Sequence, residues 1–400
     1  MEDKKIWKIN RMAKIQQLLR DKEKIKLICL ITFIMWLLGL YAGFIYEMLF
    51  SPKMKDFFDV YGLTYFFLDY SQGFIPRGFF GEVVKPFVTA HYDNLYHTLL
   101  YYKVILAGVY VVGISFVFIK LSKKLELSTF IIVMFAFIHP YYFFDRTYSF
   151  RTDNWWEILV PLMVLGLYKS KSKIVDISLI LVLSTICMLC HHAFIFVFAP
   201  LICAILLLKK EYTLFFVYGF VLAIEFCILS FGVSYDAEAL YQMVIDKVNQ
   251  TDLIREFPSK RLSGYIGWAI TLEFLSTHAT QLRNNEQLLS EYPVHIMSLV
   301  ACLFFSLISL RTIIKVLKEW VKQSKFNILS ILMMTVPYFC LLAFTIDCER
   351  WFMLYLMSFG ILVIWLVCKE KIQIKMNTFD YWLALVSLGF NCCIFTCGWY

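Results

Sequence analysis

LICLITFIMWLLGLYAGFIYEMLF, residues Leu27–Phe50, is the stretch that decides the fold class. Glu47 is its only charged residue, and the run exceeds the roughly 20 residues that a helix needs to cross a bilayer. The only other structure that spans a membrane is a closed β-barrel, built from short segments of alternating polarity. A continuous apolar run of this kind therefore predicts a transmembrane helix. It is also too long for the apolar core of a signal peptide, and no small-residue cleavage site follows it.

The rest of the chain repeats the pattern. Hydrophobic residues make up 60% of the 400, well above the 45–50% usual in soluble domains. The formal net charge is +8, but the Lys and Arg residues stand in short clusters between apolar runs, which is a topology signal rather than a nucleic-acid footprint. Read outward from Leu27, the spacing predicts about eleven spans, at about 27–50, 100–119, 128–144, 155–168, 177–190, 193–208, 213–232, 294–314, 326–346, 351–367 and 378–396. Basic clusters at Lys120–Lys124, Lys169–Lys173, Lys209-Lys210, Lys315–Lys325 and Lys369–Lys375 mark the cytoplasmic ends. The basic segment 1–26 is then cytoplasmic and lies along the inner surface, 27–400 is one transmembrane helical domain, and the C-terminus is extracytoplasmic. Two outer loops are long, at about 51–99 and 234–293. Most of the 12 cysteines lie within apolar runs and read as small hydrophobes, not as a disulfide framework.

The outer ends carry a different set of charges, in four groups. Asp56-Phe57-Phe58-Asp59-Val60-Tyr61 follows the first span, with Asp69 further on. A carboxylate there could take a proton from a sugar hydroxyl; a solvated loop charge is the plainer reading. Gly73–Gly81 sets Arg77 in a turn shaped by glycine and proline, suited to gripping a phosphate bidentately or to an internal Asp–Arg pair. Arg151-Thr152-Asp153 precedes Trp155-Trp156-Glu157, where Asp153 is either a helix cap or part of a site. Asp347, Glu349, Arg350 and Trp351 occupy a short turn between two spans, where ionisable groups at headgroup depth point to function or to a pair pinning two helices. His191-His192 sits where two short spans meet. Cys187-Met188-Leu189-Cys190-His191 matches a haem-attachment spacing, but its place in an apolar helix favours plain membrane cysteines, with one histidine near a substrate phosphate. Adjacent residues on a helix point about 100° apart, which weakens a metal site built on both. Glu225, inside a span, must face the bundle or water.

A multi-span chain with an Asp after its first span, in an outer loop, resembles the GT-C class of membrane glycosyltransferases. Asp56–Tyr61 is similar to the Asp-aromatic-Tyr stretch of that class, with Asp59 or Asp56 in the catalytic position. Gly73–Gly81, Arg151–Asp153, His191-His192 and Asp347–Trp351 resemble bacterial membrane proteins of surface-polysaccharide loci. Size, span number and the late outer loop with Arg255, Lys260, Arg261 and Arg283 resemble O-antigen and capsule repeat-unit polymerases.

The resemblance implies a GT-C-like helical bundle in the bacterial cytoplasmic membrane, with its site in the outer loops. The implied activity is glycosyl transfer from or onto undecaprenyl-linked sugars, either polymerising repeat units or adding one sugar. Asp56 or Asp59 would be the base, and Arg77, Arg151 and Arg350 would hold the lipid phosphate beside Asp153, His191, His192 and Asp347. The expected partners are the undecaprenyl-linked glycan, membrane lipid and other polysaccharide-assembly proteins, with no nucleic acid. No cofactor is expected, and a divalent metal is possible but not indicated; no nucleotide is expected outside the cell, in keeping with the absence of a Walker or Rossmann motif. A transporter or flippase, which favours charges at mid-membrane and two related halves, and an O-acyltransferase using a histidine base are the alternative readings.

Overall fold

The computed structural model describes residues 21–50, 66–75, 78–88, 95–141, 144, 151–231, 234–249, 286–342 and 348–397. Asp56, Asp59, Arg77 and Asp347 lie outside the described residues, as do residues 1–20 and 250–285. Nearly all of what is described is helical. The first helix, α1, spans Lys22–Phe50. A 3-10 turn at Tyr70–Gln72, the short strand β1 (Gly73–Phe74) and α2 (Phe79–Val88) follow. Next come α3 (Leu95–Lys124), α4 (Leu127–Ala136), a 3-10 turn at Thr152–Trp155 and α5 (Trp156–Lys169). Then come α6 (Lys173–Cys190), α7 (Phe194–Val197), α8 (Ala199–Leu208) and α9 (Tyr212–Phe231). Beyond them lie β2 (Ser234–Tyr235), α10 (Ala237–Asn249), α11 (Glu286–Phe305) and α12 (Leu307–Gln323). The last three helices are α13 (Asn327–Leu342), α14 (Cys348–Lys369) and α15 (Thr378–Cys397).

Among the described residues, five helices are long and apolar enough to cross a membrane: α1, α3, α6, α9 and α14. In α14, 83% of the apolar stretch is buried inside the protein, against 28–33% in the other four. That contrast makes α14 the axis of the bundle, packed by α4, α11 and α12, while the others turn a face outward. The outward faces are apolar at helical spacing: Ile28, Ile31, Met35 and Leu38 on α1; Val109, Val112 and Phe116 on α3; Phe216, Phe220 and Ile224 on α9. A soluble fold has no partner for such stripes, and hydrocarbon does. The chain is a multi-pass helical membrane protein.

Other expected spans are shorter or broken. The third was expected at 128–144, but α4 stops at Ala136. The cause is His139-Pro140, since the residue before a proline is driven out of the helical region; the His139 ring instead meets the Pro140 carbonyl at 2.8 Å. At 1.5 Å per residue, α4 is too short to cross alone. The eighth was expected as one run at 294–314. It breaks at Ser306, and the helical segments Ile296–Phe305 and Leu307–Gln323 meet at 68°. Ile308, Thr312, Ile313, Val316 and Trp320 of α12 are buried, whereas its lysines lie on the other face.

Two turns at the basic end share one device. Lys210, after α8, and Lys371, after α14, adopt left-handed backbones with φ 60° and 51°. The following amides, of Glu211 and Ile372, return to the carbonyls of Leu206 and Leu366. This is the helix-ending motif that usually takes glycine. Nearby, Lys209 binds Asp176 and the Leu167 carbonyl (3.0 Å), tying α8 to α5 and α6.

Candidate functional site at the end opposite the lysine clusters

The N-terminal ends of α5 and α14 and the C-terminal end of α6 meet at the pole away from Lys169, Lys209 and Lys369. The turn Arg151–Trp155 is held there by its own polar groups. Thr152 Oγ1 donates to the Cys190 carbonyl at 2.7 Å, and the Trp156 indole donates to the Cys187 carbonyl at 2.9 Å. Cys187 and Cys190 are both buried, and these two bonds occupy their carbonyls. Asn154 closes the turn with a 2.9 Å bond to the Arg151 carbonyl. Trp155, not Asp153, takes the cap position of α5, so Asp153 is left for other contacts.

Asp153 faces Arg350 in the first turn of α14. Nε to Oδ2 is 3.8 Å, and the two side chains are 1% and 3% exposed. The guanidinium lies over the Trp351 ring at 4.0 Å, a cation–π contact worth more where water is excluded. Trp351 in turn touches His191 (5.3 Å) and Trp156 (6.2 Å), while His191 and His192 stand 5.0 Å apart. The 100° separation expected for a helix does not hold, because α6 ends at Cys190 and the histidines lie in the turn. His191 Nδ1 accepts from the Ala193 amide at 3.1 Å, so a neutral His191 carries its proton on Nε2.

Two residues that were not among the expected site residues extend this cluster inward. Lys103 of α3 and Glu157 of α5 are both buried, and Glu157 lies within electrostatic reach of Lys103 and Asp153. Tyr110 and Tyr141 adjoin the same carboxylate. Glu157 Oε1 and the Trp351 indole N–H are buried without a hydrogen-bond partner among the described residues. The signal was present in the sequence: each charge stands alone in an apolar helix, as in LLYYKVIL and WWEILVPL. Glu225 faces the bundle, as its cost in lipid requires, and accepts from Thr185 at 2.6 Å.

Between α3 and α5, on the outside of this cluster, runs an apolar groove of about 590 Å³ lined by Tyr101, Tyr102, Ile105, Val109, Trp155 and Ile158. Its rim is fixed by the Trp155 indole donating to Tyr102 at 2.7 Å.

A second polar cluster joins the segment 66–88 to α10. Asp69, 1% exposed, accepts from Lys247 of α10 at 2.7 Å, from Lys85 of α2 at 3.1 Å and from the Ser71 amide at 2.9 Å. Burial alone would raise this carboxyl, but the Lys247 ammonium and the Ser71 donors outweigh it and hold the group well below the usual carboxylate range. Lys247 also reaches the Phe67 carbonyl at 3.0 Å. The strands β1 and β2 pair antiparallel beside it, Gly73 with Tyr235 and Phe74 with Ser234. Asp69 is therefore a structural clamp between these segments.

A family model described as "Uncharacterised membrane protein Rv1490" matches residues 33–238. That range holds Lys103, Asp153, Glu157, His191 and His192, whereas Arg350 lies beyond it. No curated protein and no solved structure matches the chain.

Proposed function

The chain belongs to the membrane-protein family described as Rv1490, and from that premise we propose that it transfers a glycosyl group from or onto an undecaprenyl-linked sugar. The carrying observation is the buried Arg350, stacked on Trp351 beside Asp153 and the two histidines. A desolvated guanidinium at the pole of a membrane bundle suits a lipid phosphate, which it can bind bidentately. The open hydrogen-bonding capacity of Glu157 and Trp351 suits a hydroxyl-rich ligand. The apolar groove beside Trp155 suits the carrier's hydrocarbon tail.

In this reading the acceptor hydroxyl oxygen attacks the anomeric carbon while the bond to the carrier phosphate breaks. The phosphate leaves with the electron pair, and Arg350, with Arg77 and Arg151, offsets its charge. The proton passes to a carboxylate, Asp56 or Asp59. The lysine-rich pole faces the cytoplasm by the positive-inside rule, so the site faces outward in a GT-C-like arrangement of about eleven crossings. The product is either a polymerised repeat unit or a glycan extended by one sugar.

The test is the lipid-linked glycan profile of cells lacking the gene, complemented with the wild-type chain or with Arg350→Ala at equal protein abundance. A single carrier-linked repeat unit that accumulates indicates a polymerase; a glycan lacking one sugar indicates a single-sugar transferase. A profile unchanged by deletion removes glycosyl transfer and moves carrier transport to first place.

A further inference from the structure

We propose that the basic pocket beside α12 binds the phosphate headgroup of an anionic phospholipid. This inference is independent of the glycosyl reading and concerns the opposite pole. The pocket, about 460 Å³, lies between α12 and the segment after α14, and is lined by Lys315, Lys318, Glu319, Lys322, Gln373 and Lys375, with Ile374. Four cations thus face one carboxylate.

Two of the four are already engaged. Lys315, with Arg311, binds Asp380 in the first turn of α15, and Lys322 pairs with Glu319 at 2.6 Å. Lys318 and Lys375 have no carboxylate partner among the described residues, and both are exposed. The pocket wall is fixed rather than loose. The left-handed Lys371 turns the chain back, Ile372 anchors it in the core, and Lys315 reaches the Lys375 carbonyl at 3.5 Å.

The occupant follows from location and charge. The 68° break at Ser306 turns α12 away from α11. α12 packs its buried face on α4 and α14, while its free side carries the exposed Leu307 and Ile314 beside Lys318, the mixed apolar and basic surface of a helix at the membrane interface. A basic pocket at that depth meets lipid headgroups before any soluble anion, and each lysine there adds to anionic-lipid attraction.

The experiment is native mass spectrometry of the full chain released from nanodiscs of phosphatidylglycerol mixed with phosphatidylcholine. The wild type should retain phosphatidylglycerol. Lys318→Gln with Lys375→Gln should retain roughly tenfold less or lower still, at an unchanged melting temperature. Lys123→Gln, an exposed lysine outside the pocket, should match the wild type. Equal retention in the double variant and the wild type overturns the proposal, as does a wild type with no preference for phosphatidylglycerol. Inorganic phosphate that displaces the lipid at matched concentration would reassign the pocket to a soluble anion and equally overturn it.

Discussion

Arg350 Nε lies 3.8 Å from Asp153 Oδ2, joining the first turn of α14 to the turn that opens α5, with both side chains sealed from solvent. A pair so placed costs desolvation on both sides, and its net worth is small while both members remain. Removing one is different. Asp153→Ala should cost about 3–5 kcal/mol, because the guanidinium keeps its burial and loses a counter-charge. Asp153→Asn combined with Arg350→Met should recover much of that loss. Unfolding in detergent, followed by tryptophan fluorescence, measures both. A double variant no more stable than Asp153→Ala would show that the pair is not what holds these turns together.

The Asp69 clamp gives a pH prediction. Its carboxyl is depressed in the folded protein, so the stabilisation is complete above the ordinary value of 3.8 and fades only as pH falls through the lower folded value. Hydrogen exchange in residues 237–249 should be equally slow at pH 7 and pH 5 after correction for the intrinsic rate. Asp69→Asn should speed it at both, consistent with about 2 kcal/mol for bonds to a charged group. Loosening of the wild type between pH 7 and pH 5 would assign the joint to some other group.

Two glycines make a matched test of packing. A Cβ on Gly81 would lie 1.7 Å from the Leu68 carbonyl oxygen, a backbone atom that cannot swing aside, whereas Gly113 in α3 has nothing within 4 Å. Gly81→Ala should displace α2 from the 66–75 segment and lower the melting temperature by several degrees. Gly113→Ala should be neutral or stabilising by up to ~1 kcal/mol through helix propensity. Equal melting temperatures for the two variants would contradict the close approach of α2 to Leu68.

What could be read from the sequence follows from range. α1, α6, α9, α14 and α15 lie close to their expected limits, because an apolar run bounded by lysines is local information. The conjunction of Arg151–Asp153, His191-His192 and Arg350 at one pole was also legible, since alternate crossings bring alternate helix ends together. Lys103 is absent from that reading and Glu157 enters it only beside the tryptophans, because loop charges drew the site assignment and theirs lie inside helices. The stop of α4 at His139-Pro140 was a local signal outweighed by hydropathy. Asp69 is legible only in part from its own neighbourhood: Ser71 and Lys85 are near in sequence, but its third partner, Lys247, is 178 residues away.

That last distance has a meaning in time. A ribosome adding about 5–20 residues per second needs roughly 10–40 s to go from Asp69 to Lys247. During that interval α3 to α9 are made, while the segment from Phe66 to Phe74 has neither its ion-pair partner on α10 nor its β2 strand. The joint at Asp69 is therefore finished late. The segment around Asp69 is laid down early as one half of the joint, and α10, which follows α9, delivers the other half.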